Sequence, residues 1–136
     1  MRPRDAIARA RARGSLAEAA QARIGRRVHV AIVLELGARG SAGLLGARGE
    51  PMLLAITDTD VYLLDCRRTT FGLRVGGVLD HLPRTGLVSQ WRQRRLAVTA
   101  ELSWPEAHVY LTARTRSGPD TDRAIGLLMS SELERR

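Results

Sequence analysis

Between Met52 and Asp65 the chain reads MLLAITDTDVYLLD, two apolar runs separated by Thr57-Asp58-Thr59-Asp60. Runs this short, rich in Leu, Ile, Val and Tyr and split by turn formers, specify a strand, a turn and a returning strand. Neither run alternates polar with apolar residues, so both strands are expected to be buried on more than one side. This hairpin constrains the rest of the fold because further strands of the same kind surround it.

Upstream, Val28, Val30, Ile32, Leu34 and Leu36 alternate with His29, Ala31, Val33 and Glu35, the period of a strand. Gly37 to Glu50, GARGSAGLLGARGE, reads as a glycine-rich loop, and its doubled GARG is too short for an architectural repeat. After the hairpin, CRRTTFGLRVGG reads as a polar connector in which Phe71 is a loop residue. Val78 to Leu82 predicts a fourth strand, Pro83-Arg84-Thr85-Gly86 a turn, and Leu87 to Arg92 a fifth strand. Arg95 to Trp104 alternates most regularly, with Leu96, Val98, Ala100, Leu102 and Trp104 facing one way. Beyond the turn at Pro105-Glu106, Ala107, Val109, Leu111 and Ala113 alternate with His108, Tyr110, Thr112 and Arg114.

Helices are predicted at both ends. Asp5 to Ile24 is helical in character, with a capping box at Ser15-Leu16-Ala17-Glu18, an apolar face of Leu16, Ala19, Ala20 and Ile24, and Gly25 as its stop. Ser117-Gly118-Pro119-Asp120 starts the second helix, with Asp120 as N-cap and an apolar face running from Ala124 to Leu133 through Ile125, Leu127, Leu128 and Met129. The expected fold is α+β and mainly β: seven antiparallel strands in two sheets forming a sandwich or barrel, a C-terminal capping helix, and an extra N-terminal helix. Residues 1–26 form a basic arm and helix, and residues 27–136 the domain.

The length of 136 residues suits one domain with a core that needs no staples. The single Cys66 makes neither an internal disulfide nor a metal cluster, and no cofactor is implied. The N-terminus has positive charge but no apolar signal region, and no uninterrupted apolar run exceeds five residues. A soluble, cytoplasmic protein, or one peripheral at the inner face of the membrane, is expected.

All 22 basic residues are Arg. Arg is the planar fork suited to phosphate, but the absence of Lys beside abundant Ala, Gly, Leu and Val is explained more simply by a high-GC coding bias. The distribution is uneven. Residues 1–27 carry a net +6, residues 28–66 a net −3, residues 67–98 a net +6 and residues 99–136 a net −1. The positive charge thus concentrates in the N-terminal arm and one central block.

Leu54-Ala55-Ile56-Thr57-Asp58, Val61-Tyr62-Leu63-Leu64-Asp65 and Leu79-Asp80-His81-Leu82-Pro83-Arg84, followed by the closing helix, carry a family likeness. On these residues the chain resembles the bacterial PH-like domains, the pleckstrin-homology superfold with its GRAM-type relatives, over residues 52–134 and more loosely over 28–134. The resemblance implies a non-enzymatic binding or scaffolding module whose loop between the first two strands, with its neighbours, receives phosphoinositides or peptides. Transferred here, that loop is Gly37 to Glu50, with Arg39 and Arg48 as its cations. Relatives often carry basic residues after Thr-Asp, where this chain has Thr59-Asp60.

The central block offers a second candidate contact: Arg67, Arg68 and Arg74 in the connector, then Trp91, Arg92, Arg94 and Arg95. An aromatic beside clustered Arg can stack a base or enter a membrane interface, and the same residues also describe a solvated turn with Trp91 covering the core edge. Three partner classes follow: an anionic lipid surface, a protein partner engaging a sheet edge or the N-terminal helix, and a nucleic-acid backbone. No small-molecule substrate is evident. No phosphate loop with Lys, H-E-x-x-H or G-x-S-x-G is present, and His29, His81 and His108 fall on separate strands, so no enzyme is expected. Asp80 and His81 point to opposite sides of a strand. Cys66 beside Arg67 and Arg68 has neighbours that lower a thiol pKa, against the alternative of an inert strand-end thiol.

Overall fold

The computed structural model describes residues 16–37, 51–70 and 72–135, with side chains as far as Met129. Helix α1 (16–24) is followed by β1 (Val30–Leu36), β2 (Pro51–Ile56), β3 (Asp60–Thr69) and β4 (Gly72–Pro83). Then come β5 (Val88–Arg94), β6 (Ala97–Trp104), a 3₁₀ turn (Pro105–Ala107), β7 (Val109–Arg116) and α2 (Pro119–Arg135).

The seven strands form one antiparallel sheet in the order β4-β3-β2-β1-β7-β6-β5. Two meanders, β1–β4 and β5–β7, meet where Glu35 pairs with Arg114 and Leu36 with Ala113. The alternating strands were expected to form two sheets; this short β1–β7 ladder fuses them into one open sheet. Thr115 strengthens the junction by donating its hydroxyl to the Val33 carbonyl at 2.7 Å. At the other end of the core the Trp104 indole donates to the Pro83 carbonyl at 3.0 Å, tying the end of β6 to the end of β4.

The hairpin β2–β3 is buried on both faces, as its lack of alternation predicts. Leu54, Ile56, Val61 and Leu63 point inward with Leu34, Leu102, Trp104 and Leu111, and α2 closes this cluster with Ala124 and Leu128. Leu53, Ala55, Tyr62, Leu64 and Cys66 point outward into a second cluster, closed by α1 through Ala20 with Leu16, Ala19 and Ile24 packed around it. Gly25 ends α1 at φ +79, where a side chain is disfavoured, and its N–H returns to the Gln21 carbonyl at 2.8 Å. Ser15 of the expected capping box, Phe71, and the arm before it lie outside the described residues, as does the loop carrying Arg39 and Arg48.

Four expectations change. The connector after Cys66 is instead a continuation of the hairpin: Cys66 pairs with Val75, Arg67 with Arg74 and Arg68 with Leu73. Gly76 and Gly77 fall where the β3–β4 register shifts, so they accommodate a bulge rather than end a strand. At Gly76 an added Cβ would sit 3.0 Å from the Asp65 carboxylate, which explains the need for glycine. Leu96, expected inside, sits in the two-residue turn between Arg94 and Ala97 and is 86% exposed. Helix α2 begins two residues early, at Pro119 rather than after an Asp120 cap, and Pro suits the first helical turn because it lacks an N–H. Met129, assigned to the apolar face of α2, is exposed.

Candidate anion-binding face

The positions of the arginines follow from strand alternation and register. On β5, Trp91 packs against the inner cluster and the Ser89 hydroxyl lies 3.7 Å from the Met129 sulfur, so Arg92 and Arg94 face outward. On β6, Val98, Ala100 and Leu102 are buried, leaving Ala97 and Thr99 on the outer face. On β7, Leu111 and Ala113 face the core, placing Arg114 and Arg116 outside. Register then aligns Arg92 with Thr99 and Arg114, and Arg94 with Ala97 and Arg116. The result is two parallel rungs, each a small residue flanked by two arginines.

Strands two apart in a sheet stand about 10 Å apart. The long Arg side chains of β5 and β7 can therefore converge over the low middle strand on a single anion. Arg95 adds a fifth cation at the end of the β5–β6 hairpin. Arg94, Arg95, Arg114 and Arg116 border an open groove of about 1270 Å³, whose far wall carries Arg68 and Leu73 from the β3–β4 hairpin and Leu16 from α1.

Acidic residues are few here. Glu35 accepts a short hydrogen bond from Arg68 and lies 3.8 Å from Arg114, so these two cations are already partly compensated. Asp120 stands at the groove rim. Arg92, Arg94, Arg95 and Arg116 have no carboxylate partner among the described residues. Multiple convergent Arg forks without acids favour a polyanion over a neutral ligand.

Of the six arginines read from the central block, Arg94, Arg95 and Arg68 thus border one groove, and Arg92 lies on the same outer face one rung back. Arg67 and Arg74 lie directly opposite each other on the other face of β3–β4, with Arg67 3.7 Å from Asp65. Trp91 also belongs to the inner face, away from Arg92 and Arg94, and its buried indole N–H has no hydrogen-bond partner among the described residues. A stacking role beside the arginines is therefore not built into this geometry. Arg114 and Arg116 complete the face and escaped the sequence reading. The signal was present, since Thr112 and Arg114 fall on the polar side of an alternating strand, but only register brings them beside Arg92 and Arg94.

A second polar cluster surrounds the β2–β3 turn. The His29 imidazole donates to Asp58, because an ionised carboxylate can only accept. His81 stands 3.2 Å from Asp60 and stacks on Tyr62, its cross-strand partner, with ring centroids 4.2 Å apart. The hydrogen bond from His29 holds the Asp58 carboxyl below its usual range. The Thr59 hydroxyl, 2.6 Å away, and then His81 lower that of Asp60. Arg84 closes the cluster by donating to the carbonyls of Thr57, Asp58 and Leu127 at 2.8–3.0 Å. These contacts brace the turn against α2. Two of the three histidines, separate in sequence, are thus brought to one corner, each with a carboxylate.

Burial raises the Cys66 thiol pKa, Asp65 adds to the effect, and Arg68 only partly opposes it. The lowering that neighbouring Arg can exert is outweighed because the sulfur is turned into the cluster under α1, in keeping with an inert strand-end thiol. Among the described residues no group of three or more His, Cys, Asp or Glu is placed to hold a metal ion. No described helix is long and apolar enough to cross a membrane. Comparison with known proteins gives no match, either to a protein-family model or to a characterised sequence.

Proposed function

We propose that this chain is a PH-like, non-enzymatic binding module that docks on an anionic membrane surface through the outer face of β5–β7. The observation that carries this reading is the pair of Arg–small–Arg rungs, Arg92-Thr99-Arg114 and Arg94-Ala97-Arg116. Four arginines of this face and its hairpin tip lack an acidic partner among the described residues. Seven antiparallel strands closed by a C-terminal helix support the family resemblance. An Arg near an anionic surface contributes about 1 kcal/mol, so several together give useful affinity with no deep pocket.

Vesicles test the reading. The full chain should co-sediment with vesicles of mixed phosphatidylserine and phosphatidylcholine at low salt, and not with phosphatidylcholine alone. Binding should fall as salt rises. Equal binding to both vesicle types, or none, overturns it. A gel shift with duplex DNA alongside vesicle failure would transfer the face to nucleic acid, where affinity drops steeply with salt.

One observation favours a second reading, a protein partner at a sheet edge. β4 is a terminal strand of the sheet and exposes Leu73, Val78 and Leu79. The bulges along β4 disturb its pairing with β3 and blunt it as a template for an added strand, so this reading ranks second. Capture of a partner that is lost on Val78→Lys, with vesicle binding absent, would promote it.

A further inference from the structure

The β5–β6 hairpin ends in Arg94-Arg95-Leu96-Ala97, a two-residue turn that places a bare leucine at the tip of the arginine-bearing β5–β7 face. Leu96 is 86% exposed, well beyond the next large apolar side chain among the described residues, Leu79 at 51%. Arg95 holds φ +40, a backbone region where Gly, Asn or Asp is usual in hairpins. A side chain is thus retained at a position where glycine would relieve the backbone.

The two carbonyls of the turn are also internally satisfied. The Arg95 carbonyl accepts from the Gln93 side-chain amide at 3.0 Å, and the same amide donates to the Ser117 hydroxyl. The Leu96 carbonyl accepts from the Ser117 N–H at 3.1 Å. The tip is therefore fastened to the end of β7, and both its carbonyls are occupied. That matters at a membrane, where backbone groups leaving water must already have partners. Arg92, Arg94 and Arg116 stand behind the tip on the same side of the sheet.

We propose that the Arg95-Leu96 turn is a membrane wedge: Leu96 enters the headgroup–acyl boundary of an anionic bilayer while the arginines behind it hold phosphates. The inference rests on the membrane reading above and assigns its point of entry. A bilayer is favoured over a protein groove by charge complementarity: the surround of Leu96 is cationic, with Asp120 and the already paired Glu35 as the groove's acids among the described residues. Long Arg stems also tolerate the interface by keeping their heads among phosphates.

The experiment uses the full chain with vesicles of phosphatidylserine and phosphatidylcholine. Leu96→Ser should weaken binding roughly tenfold, with no change in the denaturation midpoint because the side chain is solvated. In Leu96→Trp, tryptophan emission should shift to the blue on vesicle addition and be quenched by brominated acyl chains. In the parent protein, Trp91 and Trp104 lie against the core and should give little quenching. Parent-like affinity of Leu96→Ser together with no bromine quenching of Leu96→Trp overturns the wedge and leaves the Arg face intact. Failure of the parent protein to bind anionic vesicles overturns both.

Discussion

Arg84 shows how one side chain converts two separated sequence signals into a single corner of the fold. The Thr-Asp of the hairpin turn and the Pro-Arg at the end of β4 were recognisable as motifs, and the structure supplies a physical reason for them: the guanidinium holds the carbonyls of Thr57, Asp58 and Leu127. Arg84→Met removes the donors and leaves carbonyls to find water; it should cost about 2–4 kcal/mol in urea unfolding. The same corner predicts an acid limb. Asp58 and Asp60 have carboxyl pKa values below the ordinary 3.8, so their contribution to stability is complete above that value and disappears as pH falls through the lowered folded values. Thermal melts from pH 5 to pH 2 should therefore decline less steeply in Asp58→Asn than in the parent protein. An unchanged slope would show that the His29 contact has no weight.

At the scale of elements, the β5–β6 hairpin balances stability against the side chain it displays. Arg95→Gly relieves a left-handed backbone at some entropic cost, so it should raise stability by up to about 1 kcal/mol while weakening vesicle binding. Stability and binding moving together would contradict that assignment. The strands themselves were largely readable. MLLAITDTDVYLLD specified a doubly buried hairpin because side chains on both sides of β2 and β3 had to be apolar, and α1 and α2 supply the two covers. The extension of β3 and β4 was less readable, since Arg67, Arg68 and Arg74 are exposed where the hairpin runs past the core and leave no apolar alternation. Leu96 misled for a related reason: it keeps the inward phase of β6, yet the turn takes it out of the ladder one residue before that phase applies. Periodicity records which face a strand residue occupies, but does not locate the end of the strand.

Across the whole molecule, the antiparallel sheet separates structural work from charge. Its inner face and the outer face of β2–β3 are covered by helices, whereas the outer face of β5–β7 carries arginines and is left uncovered by the described helices. Linear proximity groups Arg67 with Arg92 in one basic block, whereas the strand order sets Arg116 across Ala97 from Arg94. Arg67 and Arg74 therefore provide an internal control: they carry the same charge on the same fold but on the other face. The decisive comparison is co-sedimentation with anionic vesicles of the parent protein, the triple variant Arg92→Gln/Arg94→Gln/Arg116→Gln, and the double variant Arg67→Gln/Arg74→Gln. At about 1 kcal/mol per Arg, the triple variant should lose roughly a hundredfold in affinity, and the double variant should stay within a few-fold of the parent. A larger loss in the double variant, or parent-like binding by the triple variant, would contradict the assignment of the β5–β7 face.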